Sequence, residues 1–107
     1  MKLIITNLEK VYTKDGHHLG EAHRLHHRTH DINPDLEQYD TYLQVISFTE
    51  GESYYIPTDF IAGYVADTKD LLLSVTMPEL MDHTWFRIPT FVAIGDEQVE
   101  RLPAAIA

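Results

Sequence analysis

Six of the seven histidines crowd into one short stretch: His17, His18, His23, His26, His27 and His30. Imidazole is a common ligand for zinc, copper and nickel, so a divalent transition metal is the one cofactor these residues suggest. His23/His27 and His26/His30 are i, i+4 pairs. On a helix each pair would share a face and clamp an ion. On a strand, four residues span roughly 13 Å, too far for two nitrogens that must each lie about 2 Å from one metal. The stretch reads as strand. His23, His26, His27 and His30 are therefore metal candidates only if further ligands converge from a neighbouring strand or a second subunit. The plain alternative is a solvated, histidine-rich strand face. A pH-responsive binding surface is a third reading of the same side chains.

No other constellation carries chemistry. Asp67 with Asp70, and Asp96, Glu97 and Glu100, pair carboxylates as acid/base catalysis requires, but they fall at expected turns where acids are solvated. The chain has no G-x-S-x-G, H-E-x-x-H, P-loop or G-x-G-x-x-G. It has no cysteine, hence no disulfide, thiolate ligand or cysteine nucleophile. No residue is assigned a catalytic role, and a non-enzymatic protein is expected. Aromatics point to contacts instead. Tyr54, Tyr55, Tyr64, Trp85, Phe86 and Phe91 are candidates for a protein interface, because some alternate with core positions and should face outward. The competing reading is that Trp85, Phe86 and Phe91 cover an open end of the fold.

The elements that would position these residues are short. Lys2–Thr6 and Val11–Thr13 suit strands. Lys14-Asp15-Gly16 is a turn with Gly supplying positive φ. Leu19–Arg28 returns as the hairpin partner, and Gly20 within it marks a bulge or a close backbone approach. A bulge would bring Leu19, Ala22 and Leu25 to one face. Asn33-Pro34 reads as a capped helical turn. Thr41–Thr49 is the strongest strand, apolar on both parities and hence central. Glu50–Ser53 is a hairpin loop, Ser53–Ile56 pairs back, and Pro57 ends the ladder. Gly63–Ala66 and Leu71–Val75 form another pair. Thr76-Met77-Pro78-Glu79 fits a capping box opening a helix to about Asp82. Trp85–Ile88 and Thr90–Ile94 read as extended, and Val99–Leu102 as a pairing segment after a Gly95 turn. The expected core is Leu19, Leu25, Leu43, Val45, Ile46, Ile56, Ile61, Val65, Leu73 and Val75.

With 107 residues, 44% hydrophobic and 23% charged, the chain is expected to be a single folded domain over residues 1–107. Its net charge of −9 disfavours nucleic acid, although Arg24 and Arg28 mark a local basic patch. Protonating the histidines would remove most of that charge, so colloidal behaviour should change steeply with acidification. The apolar runs fall short of the ~20 residues a bilayer span needs, and the start does not read as a signal peptide. A cytoplasmic location is the default. Many short strands with frequent turns indicate an all-β protein with one or two short helical turns, specifically a small antiparallel barrel or sandwich.

Two segments carry a family resemblance. VYTKDGHHLGEAHRL, residues 11–25, resembles the opening hairpin of the PRC-barrel family, with Leu19-Gly20-Glu21-Ala22 in place of its small-plus-apolar element. YYIPTDFI, residues 54–61, resembles that family's proline-led corner, and LLLSVTMPELM is similar to the strand-then-helix end of related barrel families. The resemblance covers roughly residues 3–82. It implies a barrel of about six strands used as a non-catalytic interaction module, with residues 83–107 as a C-terminal extension that completes the fold or crosses a dimer. A protein partner, and homo-oligomerisation, are the expected associations.

Overall fold

The computed structural model describes residues 5–29, 39–64 and 70–103. Expectations for Lys2–Ile4, the Asn33-Pro34 turn, His30, Val65 and Asp67 lie outside those residues. Strand β1 spans Lys10–Tyr12 and β2 His18–Arg28. Their connection is fixed by side chains. Thr13 is fully buried, its hydroxyl bonds to Asp15, and the His17 amide donates to the same hydroxyl at 3.0 Å. Gly16 supplies the φ of 85° that the turn needs.

The 11-residue β2 carries two irregularities: register slips between Val11 and Tyr12 on β1, and between Ala22 and Arg24 on β2 itself. The extra residues are Leu19 and His23. By absorbing one residue each, they bring Leu19, Ala22 and Leu25 into one core despite their uneven spacing.

Strand β3, Thr41–Ser47, pairs antiparallel with β2 and with β4, Glu52–Pro57. The β3–β4 turn starts earlier than the sequence suggests: Phe48 and Thr49 belong to it, and the Gly51 amide closes it on Ser47 O at 2.8 Å. After Pro57 a single 3-10 turn, Thr58–Phe60, leads into β5, Ile61–Tyr64, which pairs antiparallel with β6, Leu71–Leu73.

The sheet order is β4-β3-β2-β1-β6-β5. β1 and β6 run parallel, Val11 opposite Leu71, so the sheet is mixed and not wholly antiparallel. Hydrophobic alternation reports which face a residue occupies, not the direction of the neighbouring strand, so the sequence carries no sign of this pairing. Among the described residues the sheet is not closed. Its two outermost strands, β4 and β5, are nevertheless consecutive in the chain.

Helix α1, Met77–Asp82, opens with the expected capping box: the Glu79 amide donates to Thr76 Oγ1 at 3.3 Å, and the Thr76 amide to Glu79 Oε1 at 3.0 Å. It ends on Thr84, held at φ 56°. The Trp85 amide reaches back to Leu80 O and the Thr84 amide to Met81 O, the bonding of a Schellman stop normally given to glycine.

Trp85–Ile88 is a run of turns, and Thr90–Ala93 is a short helix, α2, where extended chain was expected. The β-branched Thr90 and Val92 favour strand locally, but Pro89 O accepts from the Val92 and Ala93 amides, and Phe91 gains burial against Tyr42 and Tyr55. Tertiary packing outweighs propensity here. Gly95, φ 81°, closes this helix, and β7, Glu97–Arg101, then pairs with the second half of β2.

One large core lies on one face of the sheet. Leu43, Ile56, Leu71, Leu73 and Leu80 are fully excluded from solvent, each contributing about 2 kcal/mol of transfer free energy. Leu19, Val45 and Val75 are buried as expected, and Leu25 and Ile61 pack half-buried against them. Ile46 is only half-buried. Val11, Leu80 and Leu102 join the core without having been expected there, and so does Trp85, which the sequence offered as an interface or covering residue. A smaller cluster of Tyr42, Tyr55 and Phe91 covers part of the opposite face. No helix among the described residues is long and apolar enough to cross a membrane.

Candidate functional site: an aromatic cleft beside a histidine seam

The second face of the sheet is built in cross-strand rows. Arg101, Arg24, Gln44 and Tyr55 form one row; Val99, His26, Tyr42 and Pro57 form the next. The segment from His83 to Phe91 leaves α1, runs along the edge of β4, and folds back over this face. The Tyr55 amide donates to Trp85 O at 2.7 Å and anchors that path.

Between segment and sheet lies a cleft of about 490 Å³, within the size range of small-ligand sites. Its walls are aromatic. The Tyr39 and Trp85 rings meet edge to face at 6.3 Å, and His83 stacks flat on Trp85 at 4.4 Å. Two cations line it. The Arg28 guanidinium sits 4.3 Å above the Phe91 ring, while its Nε donates to Tyr39 O at 3.1 Å. Arg87 lies on the rim, 5.8 Å from the Phe86 ring. Neither arginine forms an ion pair with a carboxylate among the described residues. A guanidinium over an aromatic ring carries its N–H donors at its edge, and the terminal ones suit a planar anion. Exposed Phe86 and Ile88 extend the apolar surface outward from the cleft.

The candidate interface aromatics divide. Tyr54, Tyr55, Trp85 and Phe91 are all buried within the chain, Tyr64 is half-buried, and Phe86 is 37% exposed. Tyr55, Trp85 and Phe91 line the cleft. Burial raises the Tyr55 hydroxyl pKa, with Arg24 opposing that and Glu97 adding to it. Burial also raises Tyr54, assisted by Glu52, and Tyr64, assisted by Glu9. The Tyr64 hydroxyl is buried with no hydrogen-bond partner among the described residues.

The histidines form a seam joining β7 to the sheet. His26 is buried, with Nδ1 on Glu97 and Nε2 2.8 Å from the Gln44 side-chain oxygen. His27 contacts Thr41 through Nδ1 and Glu100 through Nε2 at 2.8 Å. His23, the bulged residue, accepts from the Arg24 guanidinium at 2.6 Å. Burial, then the Arg24 and His26 charges, lower its pKa. His23, His26 and His27 thus have protein partners, and His30 lies outside the described residues. Among the described residues no three His, Asp or Glu side chains converge as metal ligands.

The sequence pointed to Arg28 and the aromatics, and to Glu97 only as a solvated turn acid, but not to Arg87, His83 or Gln44. The signal for Glu97 was its place in a segment able to pair with the histidine strand. For Arg87 there was none, because its position follows from the turn at Thr84. Comparison with family models, with curated proteins and with solved structures finds no match.

Proposed function

We propose that the chain is a non-catalytic, self-associating protein-interaction module of PRC-barrel-like architecture, acting in the cytoplasm, whose cleft takes an acidic-and-aromatic segment of a protein partner. The observation that carries the reading is the Arg28 guanidinium stacked on Phe91 inside a wall of Tyr39, Tyr42 and Trp85. Aromatic anchors and arginine are the residue types that dominate protein-recognition hot spots. An arginine with no carboxylate partner among the described residues, in a chain of net charge −9, favours an acidic group on the ligand. The barrel reading is supported by the hairpin over residues 10–28, the Pro57 corner, and the succession of β4 and β5 at opposite ends of the sheet path.

Trp85 is the sole tryptophan and lines the cleft, so its fluorescence reports occupancy. Titration with an end-blocked peptide of alternating aspartate and phenylalanine should shift the emission saturably. The shift should weaken at least tenfold in Arg28→Ala, since a charge-assisted contact is worth about 1.5–3 kcal/mol. Emission unchanged up to millimolar peptide would refute the cleft reading. Light scattering after size exclusion tests self-association, and a 12.3 kDa species at every concentration would refute that part.

A second reading, a pH-responsive binding protein, rests on His26. Both its ring nitrogens face acceptor oxygens, from Glu97 and Gln44. An imidazolium satisfies both, whereas a neutral ring donates to one. Arg24, Arg28, Arg101 and the Tyr42 and Tyr55 hydroxyls are other charged or titratable groups on that face. If the seam is a switch, partner affinity changes with pH in the parent protein and not in His26→Gln.

A further inference from the structure

The outer edge of β7 has no strand beside it among the described residues. The Arg28 amide donates to Asp40 O at 2.8 Å, toward β3, and the Thr29 amide to Asp96 O at 3.3 Å, toward β7. Main-chain groups alternate sides along an antiparallel strand. Gln98 and Glu100 therefore direct their N–H and C=O groups to β2, while Glu97, Val99 and Arg101 direct theirs away. Among the described residues no strand pairs on that side. The edge of β4 is blunted differently: Pro57 has no N–H, and the Tyr55 amide is taken by Trp85 O. β7 has neither device, and Val99 at its centre is 44% exposed.

We propose that β7 pairs antiparallel with β7 of a second copy of this chain, about a two-fold axis at Val99. The inference rests on the self-association reading above and names its contact. In this register Val99 faces Val99 of the partner subunit, and every outward N–H and C=O of Glu97, Val99 and Arg101 finds a partner. Each Glu97 then lies opposite an Arg101 across the axis, and each Gln98 opposite a Glu100, so no like charges face each other. Centring on Gln98 or Glu100 instead leaves outward groups unpaired. The pairing also answers a local conflict. Arg24 and Arg101 are direct cross-strand neighbours with no ion pair to a carboxylate among the described residues, an arrangement that is unfavourable alone. A second copy delivers a carboxylate to that row. The interface is isologous and closes at two subunits.

Val99→Pro is the deciding variant. It removes an N–H that β2 does not use, and a proline whose N–H position faces away from the ladder is tolerated on an edge strand. Light scattering from micromolar to millimolar concentration should show a dimer for the parent and a monomer for Val99→Pro, with the same circular dichroism and thermal midpoint at low concentration. Arg101→Glu, which sets glutamates opposite each other, should dissociate about tenfold more readily. The Val99 amide should exchange slowly with deuterium in the parent dimer alone. A parent that is monomeric throughout overturns self-association altogether. A dimer that persists in folded Val99→Pro overturns this edge and leaves self-association standing. If Val99→Pro does not fold, unchanged dimerisation of Arg101→Glu overturns the proposal.

Discussion

Gly20 lies so close beneath the Ile46 backbone that a Cβ on it would sit 2.5 Å from the Ile46 carbonyl oxygen. The contact is backbone to backbone, so no side chain can swing away to relieve it. Gly20→Ala should destabilise the fold by about 2–3 kcal/mol, read as a fall in the urea midpoint at unchanged slope. A loss below half a kilocalorie would show that β2 and β3 can separate locally.

Acid should loosen the junction between the first hairpin and α1. Asp15 accepts from the Thr13 hydroxyl and from the Met77 amide, and Thr13 is the larger cause of its lowered pKa. Glu79 is lowered chiefly by the Thr76 amide. A carboxylate whose folded pKa is depressed adds stability above its unfolded pKa and loses it as pH falls through the folded value. Thermal midpoints of Asp15→Asn and Glu79→Gln should therefore lie below the parent at neutral pH and converge with it between about pH 4 and 2. A constant gap across that window would place the effect in packing instead.

His23 should act in the opposite sense. Burial lowers its pKa, so the unfolded chain binds a proton there more readily than the folded one. Its contribution is intact above the usual imidazole range and is lost as pH falls through it. His23→Gln should flatten the decline in stability between about pH 7.5 and 5.5, measured by urea melts at the two ends. A slope equal to that of the parent would show that His23 does not carry the decline.

Thr84 holds a left-handed conformation at the end of α1, one that a β-branched residue adopts at a cost. Thr84→Gly should raise stability by about 0.5–1 kcal/mol. Because Thr84 also lines the cleft, peptide affinity in the same variant shows whether the turn is set for binding or only for stopping the helix.

Much of the fold was legible because its signals are local. Asp15-Gly16 announced a turn, Thr76 and Glu79 a helix start, and Leu19, Ala22 and Leu25 a bulged strand. What escaped depends on contacts distant in sequence. Phe91 lies in a stretch that reads as strand, yet its burial against Tyr42 and Tyr55 favours a helical turn. The partners of His26, Gln44 and Glu97, come from two other strands. The cleft was legible only as an excess of aromatics, because its shape depends on the path taken after Thr84.

The parallel seam between Val11 and Leu71 carries a kinetic consequence. The pairings of β1, β2, β3 and β4 with one another form between near neighbours along the chain, whereas this seam must close a loop spanning most of them, at an entropic cost that grows with loop length. Docking of the Ile61–Leu73 hairpin should therefore be a late step in folding. Until it docks, Leu71 and Leu73 face water along an open strand edge, and in that interval the chain is most exposed to misassociation.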